Sequence, residues 1–364
     1  MEKIRVGIIG CGNISDIYFE NCRSYENIEV VACSDLDIGK AQEKANTYNT
    51  MVLTLEELYE SNEVDLVLNL TIPSAHTEVS LKALQAGKHV YLEKPLSISL
   101  KDGQKILDLA NEKGLLVGTA PDTFLGGGIQ TCKTLIDSGE IGKPIAATAF
   151  MMSHGPESWH PNPGFFYQEG AGPLFDMGPY YLTVLINLIG PVRRVTGSAQ
   201  VTFPERTATS EARNGETIKV NTPTHVTGIF DFVNGAVGTL ITSFDVWGSS
   251  LSWIEIYGTE GSLRVPDPNT FGGPVFVKKQ GDQVWREVSL THGNTENSRG
   301  IGLHDMAAAI ITGEAHRASG EMAYHVLEIM HGILTSSKTD QHYHLTSTCH
   351  VPKIMPVTNE IGRL

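Results

Sequence analysis

Lys94 is the side chain around which a reaction could be built. It stands in His89-Val90-Tyr91-Leu92-Glu93-Lys94-Pro95, an apolar run bounded by Gly87 and Pro95 that reads as a short buried parallel strand. Glu93 and Lys94 then fall at the carboxyl end of that strand, where open α/β sheets hold their ligands. A lysine there is dry enough for its pKa to move and central enough to touch a substrate. An exposed ion pair at a strand end is the plain alternative, and the flanking sequence has to decide. Further on, Asp176 and Tyr180 are four residues apart in a helical pattern, so a carboxylate and a phenol share one face. Pro179 lies between them. It would be harmless in a first turn and disruptive in a helix interior, and the sequence leaves that open.

Upstream, the apolar strand Ile4 to Ile9 runs into Gly10-Cys11-Gly12-Asn13-Ile14-Ser15, a G-x-G-x-x-G pattern with Ser15 in the third place. Gly10 permits the tight turn, Gly12 admits a pyrophosphate to the backbone, and serine is small enough for close helix–strand packing. A second strand, Val30 to Cys33, ends at Ser34-Asp35, about where dinucleotide binders place an acid on the ribose. Asp35 would accept from the adenosine hydroxyls and repel a 2′-phosphate, and no arginine follows to receive one, so NAD is favoured over NADP. After the strand Val64 to Leu70, the loop Thr71-Ile72-Pro73 leads to His76, expected near the cofactor or on a helix surface.

These residues need elements to position them. Through Thr119 the chain alternates strand and helix, which predicts an α/β Rossmann domain with a doubly wound parallel sheet over residues 1–121. Beyond it the alternation stops. A helix over 125–138, a strand from Ile145 to Met152, the apolar helix carrying Asp176 and Tyr180, and many short β-rich segments follow. The turn Val233-Asn234-Gly235-Ala236 is a hairpin pattern. Two helices, near 302–312 and 321–336, precede a polar tail from Lys338. Residues 122–364 are therefore expected to form an α+β C-terminal domain with a large, mostly antiparallel open sheet. The loop from His154 to Tyr167 is rich in breakers, aromatics and histidines. Trp159 and His160 are its substrate-side candidates, whereas Asp245 and Trp247 are expected to pack in the sheet.

Bulk properties exclude several classes. A chain of 364 residues is too long for one ordinary core. The formal net charge of −14 argues against nucleic acid and anionic membranes as partners. Five cysteines, without a Cys-x-x-Cys pair, suit reduced thiols and a cytoplasmic protein, and no metal site is expected because His154 and His160 lack a third ligand at zinc-like spacing. No run of about 18 apolar residues suggests a membrane span.

Taken together, Gly10-Cys11-Gly12-Asn13-Ile14, Asp35, Thr71-Ile72-Pro73 with His76, Glu93-Lys94-Pro95, and Gly170 through Tyr180 resemble the Gfo/Idh/MocA family (glucose–fructose oxidoreductase, inositol dehydrogenase and rhizopine catabolism). The motifs occur in the family's order and span both halves of the chain. The resemblance implies a nicotinamide-dependent oxidoreductase acting on sugars, glycosides or cyclitols, assembled as a homodimer or homotetramer. It implies cofactor contacts from Gly10, Gly12, Asn13, Ile14, Asp35, Thr71, Pro73, His76, Glu93 and Lys94, and catalysis by Lys94, Asp176 and Tyr180. Lys94 would hydrogen-bond the reacting oxygen, Asp176 would bind a neighbouring hydroxyl, and either Lys94 or Tyr180 would take the proton. Many relatives carry histidine at the Tyr180 position, so this chain departs there towards the glucose–fructose oxidoreductase-like branch. The resemblance also suggests a cis Lys94–Pro95 bond. Two other readings share the motifs. One is an NAD-using glycosidase or epimerase that passes through a transient keto-sugar, and the other is a non-catalytic NAD- or sugar-sensing protein.

Overall fold

The computed structural model describes residues 3–357. Its first sheet has six parallel strands: β1 (Ile4–Ile9), β2 (Ile28–Ser34), β3 (Met51–Val52), β4 (Leu66–Asn69), β5 (His89–Leu92) and β6 (Val117–Thr119). Their order is β3-β2-β1-β4-β5-β6. The sheet changes direction of growth between β1 and β4, which is where doubly wound sheets open a crevice for ligand. Helices α1 (Ser15–Cys22), α2 (Ile38–Tyr48), α3 (Leu55–Glu60), α4 (Pro73–Gln85) and α5 (Leu100–Lys113) connect the strands. Strands β4 and β5 are buried on both faces apart from His89, as their unbroken apolar runs require.

The rest of the chain builds a nine-stranded sheet. Helix α6 (Gly127–Asp137) precedes β7 (Pro144–Met152), and α7 (Gly172–Ile189) is followed by β8 (Val192–Gln200). A small hairpin, β9 (Glu205–Thr207) with β10 (Thr217–Lys219), stands apart. Then come β11 (His225–Phe232), β12 (Val237–Ser243), β13 (Ile254–Gly258), β14 (Gly261–Val265), β15 (Val275–Lys279) and β16 (Arg286–Val288). Helices α8 (Ile301–Thr312) and α9 (Gly320–Thr339) precede a final short strand, β17 (Tyr343–His344). The large sheet runs β16-β15-β14-β13-β7-β12-β11-β8-β17, and its neighbours are antiparallel except for β7 with β12. The expected hairpin joins β11 to β12, closed by Phe232 N–H donating to Ala236 O at 2.9 Å.

Two details add to the sequence reading. The polar tail is tied down, because buried Glu328 accepts from the Tyr343 hydroxyl and from the backbone amides of Thr346 and Ser347. Helices α8 and α9 also do more than close the second sheet. Both pack against β6 of the first, and Thr119 N–H donates to Ala318 O at 3.0 Å.

Helix α8 is capped from a distance. Its own N-cap, Gly300, supplies no side chain. Instead Oδ2 of Asp122, in the loop after β6, accepts from the amides of Gly300 at 2.8 Å and Gly302 at 3.1 Å. Burial pushes the Asp122 carboxyl up to about 6, with the two amides opposing the rise. Between the ordinary carboxyl pKa and that value the folded chain keeps a proton that the unfolded chain releases, so Asp122 lowers stability as pH rises. Asparagine preserves the accepting oxygen and carries no charge. Asp122→Asn is expected to gain on the wild type by up to about 3 kcal/mol above pH 6, with the difference shrinking towards pH 4. Asp122→Ala, which orphans both amides, should cost about 2 kcal/mol at acid pH. Denaturant midpoints across this pH range measure both.

Candidate active site

The carboxyl ends of β1, β2, β4 and β5 bring the sequence motifs to one place. Chain leaving β1 turns at Gly10, which has φ of +102°, and a Cβ there would lie 2.7 Å from the carbonyl carbon and oxygen of Leu70. Gly12 differs: no heavy atom lies within 4 Å of its Cβ position. Ser15 is fully buried and donates its hydroxyl to Gly12 O at 2.7 Å, so the third place of the motif both packs the helix and holds the loop. Asp35 accepts from Cys11 N–H at 2.7 Å and, through its other oxygen, from Asp37 N–H at 2.8 Å. The aliphatic side chains of Ile14, Leu36 and Ile72, on the three loops, are exposed, Leu36 to 93%. Open backbone at Gly12, a fixed carboxylate and exposed aliphatic surface are what a dinucleotide's pyrophosphate, ribose and adenine require.

The loop after β4 is braced by side chains. Thr71 Oγ1 donates to Asn69 Oδ1 at 2.6 Å, Asn69 donates to His76 O and Ser80 Oγ, and Pro73 opens α4. His76, expected near the cofactor or on a helix surface, is not on the surface. It is fully buried, with Nδ1 2.7 Å from Pro95 O and Nε2 3.0 Å from Thr71 O. Burial holds its pKa below the usual histidine range. The neutral ring carries one N–H and donates it to one of these two carbonyls, packed between the Thr71 loop and the Pro95 loop.

Glu93 is similarly engaged. Its Oε1 accepts from the Tyr18 hydroxyl at 2.7 Å and its Oε2 from Lys94 N–H at 3.1 Å. The Lys94–Pro95 peptide bond is cis. Lys94 Nζ donates to Asp176 Oδ1 at 2.9 Å and to Asp176 O at 2.7 Å. The same ammonium lies 5.2 Å from the centre of the Tyr180 ring. Burial alone would lower the Lys94 pKa, but Asp176 and then Tyr180 carry it above the ordinary lysine value. Burial raises the Tyr180 phenol, and Lys94 and Arg299 oppose that rise without cancelling it.

Helix α7 supplies both partners. Asp176 and Tyr180 face Lys94 together, as their spacing requires, and Pro179 lies well inside the helix. Trp159 and His160 sit elsewhere, on the loop before α7. Trp159 is 66% exposed, and His160 packs edge-on against Phe166 with ring centres 4.8 Å apart. Neither makes a hydrogen bond or ring contact with Lys94, Asp176 or Tyr180 among the described residues. Trp247 corrects the expectation that it packs in the sheet, because it is 85% exposed and stacks on His154. Among the described residues, no group of three His, Cys, Asp or Glu side chains is placed to hold a metal ion.

Three contributors were not legible in the sequence. Tyr18 reads as part of an apolar helix face, Asp122 as an ordinary loop acid, and Arg299 as the residue before a helix. In the structure Arg299 is half-buried and held by the side-chain oxygens of Asn297 at 2.7 Å and Asn269 at 3.1 Å, and its positive charge favours the ionised Tyr180 phenol. The only hint was a lone arginine beside a glycine at a helix start.

Comparisons with known proteins agree with this geometry. Residues 4–120 match a model described as an oxidoreductase family with NAD-binding Rossmann fold, and residues 129–264 match the GFO/IDH/MocA C-terminal domain. The myo-inositol 2-dehydrogenase of Thermotoga maritima is 24% identical over 87% of this chain and 91% of that enzyme. The 1,5-anhydro-D-fructose reductase of Ensifer adhaerens is 32% identical, but the match spans 40% of this chain and less than half, 44%, of that relative. A levoglucosan dehydrogenase solved with NADH has the same fold, with a TM-score of 0.82 at 20% identity over 95% of this chain and all of that one.

The two motif glycines should separate folding from cofactor binding. Gly10→Ala is expected to cost about 2–4 kcal/mol of stability, because its conformation and the Leu70 carbonyl both exclude a side chain. Gly12→Ala should leave stability without ligand within about 0.5 kcal/mol and weaken NAD at least tenfold. Thermal unfolding with and without NAD distinguishes the two.

Proposed function

Because the chain belongs to the Gfo/Idh/MocA family of oxidoreductases, with an NAD-binding Rossmann domain, we propose that it moves a hydride between nicotinamide and a secondary alcohol of a sugar, glycoside or cyclitol. The observation that carries this reading is the ammonium of Lys94 held by Asp176 beside Tyr180 at the carboxyl end of β5. An ammonium has three N–H donors. Asp176 takes two of them, through its carbonyl and Oδ1, and the third is available for the reacting oxygen. Asp176 Oδ2 remains to accept from a neighbouring hydroxyl, which orients the ring.

Bound NAD supplies the hydride acceptor. The chain has to manage the proton and the charge on oxygen. In oxidation, Lys94 stabilises the developing alkoxide, and Tyr180 is the group that takes the proton, directly or through the substrate's hydroxyls. The Tyr180 phenol is raised by burial, so the accepting phenolate is scarce at neutral pH. Arg299 and Lys94 are the two cations that keep it within reach. Asp35, followed by Leu36 and Asp37 without an arginine, supports NAD over NADP.

We place the division of labour between residues 121 and 122, with the cofactor half before it and the substrate half after it. The outer face of the large sheet, where Phe150, Ile241 and Thr227 lie in register and Ile229 and Val237 are exposed, suits a homodimer or homotetramer. Five free, buried cysteines suit a reducing, cytoplasmic setting. Among the described residues, no helix is long and apolar enough to cross a membrane.

A screen of monosaccharides, glycosides and inositols, followed by absorbance with NAD and with NADP, tests the reading. NADH should accumulate with a polyol substrate. Product without net NADH would point instead to the keto-sugar glycosidase route, and a firm preference for NADP would remove the role given to Asp35. On the substrate found, Lys94→Ala should lose at least ~100-fold in kcat with NAD still bound, and Tyr180→Phe should slow turnover. The oxidation rate should climb with pH on the alkaline side and the reverse reaction should fall. Arg299→Gln should move that limb to higher pH, because it removes a cation that favours the phenolate.

A further inference from the structure

Arg299 is a charge without a counter-ion. Among the described residues, the other buried or half-buried arginines are Arg5, Arg194, Arg206, Arg264 and Arg317, and each pairs with at least one Asp or Glu. Arg299 is held instead by the neutral side-chain oxygens of Asn297 and Asn269. A guanidinium has five N–H donors, and these two bonds leave three. Asp122 is a carboxylate whose charge reaches it, but that group is spent on the amides of Gly300 and Gly302. Withdrawing a cation from water without pairing it is costly.

The main chain at Arg299 is fixed to α1. Asn21 Nδ2 donates to Arg299 O at 2.8 Å and to Asn297 O at 2.9 Å, and a Cβ on Gly300 would lie 3.5 Å from the Tyr18 ring. Tyr18 in turn holds Glu93, the residue before Lys94. From this anchor the Arg299 side chain runs into the second half of the molecule, to Asn269 and over the Phe271 ring at 5.8 Å. Its charge reaches the Tyr180 phenol. Asn21 lies in the last turn of α1, whereas the open backbone of Gly12 precedes the first. The guanidinium is therefore directed towards the α7 side of the cleft and away from the place suited to pyrophosphate. The other charges there are already matched, Lys94 by Asp176, and Glu93 by the Tyr18 hydroxyl and the Lys94 amide. A planar fork with free donors and no anion of its own suits a carboxylate, which it can grip with two parallel bonds.

We propose that Arg299 pairs with a carboxylate on the substrate, so that the polyol oxidised beside Lys94 is a sugar acid and not a neutral sugar or cyclitol. This rests on the polyol dehydrogenase reading and narrows it. The substrate brings the counter-ion that the chain omits, and Arg299 determines specificity by contact.

Oxidation with NAD of D-glucuronate, D-galacturonate and D-gluconate, each set against its neutral amide, tests the proposal. At least one acid should exceed its amide about tenfold in kcat/KM. Arg299→Gln should abolish that ratio, and Arg299→Lys should recover part of it. Both members of a pair meet the same Tyr180, so the ratio cancels the effect of Arg299 on the phenol. Amides turned over as well as their acids, or a ratio unchanged in Arg299→Gln, would overturn the proposal. So would NADH bound about tenfold more weakly by Arg299→Gln, which would assign the guanidinium to the cofactor. Titration calorimetry of the NADH-loaded protein with the same pairs separates the two readings. Arg299-dependent binding of an acid without any NAD reduction would leave the carboxylate contact standing and sink the dehydrogenase reading. NAD reduction confined to neutral polyols would do the reverse.

Discussion

The ammonium of Lys94 donates to both the carboxylate and the main-chain carbonyl of Asp176, 82 positions along the chain. One partner ends a strand of the parallel sheet and the other lies in a helix laid on the large sheet, so the bond joins the two halves of the molecule at the cleft. Both groups are largely withdrawn from water, with side-chain exposures of 17% and 26%. A charge in such a place is tolerated only beside its opposite, and removing either partner would leave the other uncompensated. The same pairing raises the Lys94 pKa against the lowering by burial and keeps it cationic. Position and charge at the site thus follow from one contact.

Several supports exist to hold that contact in register. Tyr18 reaches from α1 to Glu93, so the helix that follows the glycine turn is anchored to the residue before Lys94. His76 fills the space between the loops after β4 and β5 and donates its one N–H to the carbonyl of Thr71 or of Pro95. Asp122 caps α8 from the loop after β6, one residue beyond Arg299, whose charge favours the ionised Tyr180 phenol. None of these bonds is strong alone, each contributing on the order of 1 kcal/mol, but all are buried or nearly so and share neighbours. The cleft is therefore rigid where the chemistry would occur.

Much of this was legible in the sequence because the parallel sheet writes itself in periodic apolar runs and its ligand end in glycine and charged residues. Gly10, Gly12, Asp35, Lys94 and the Asp176–Tyr180 spacing could be read from local pattern. His76 could be located but not given its contacts, since nothing local distinguishes a histidine facing a ligand from one packed between two loops. Arg299 and Asp122 were invisible for a different reason. The amides Asp122 caps lie 178 positions away or more, and the phenol on which the Arg299 charge acts lies 119 positions away, so only the return of α8 onto the first sheet makes them legible. Trp247 was misplaced because a tryptophan after a strand usually packs, whereas here it stands on a loop with one face on the distant His154.

The central claim is that polyol hydride passes directly to nicotinamide beside Lys94. Sugars, glycosides and inositols deuterated at every carbon, incubated with the enzyme and NAD, test it by mass spectrometry of the recovered cofactor. The account predicts one deuterium on the reduced nicotinamide, on a single face, with the wild type, and transfer at least ~100-fold slower with Lys94→Ala. Cofactor that binds the wild type yet acquires no deuterium from any member of the panel would contradict it.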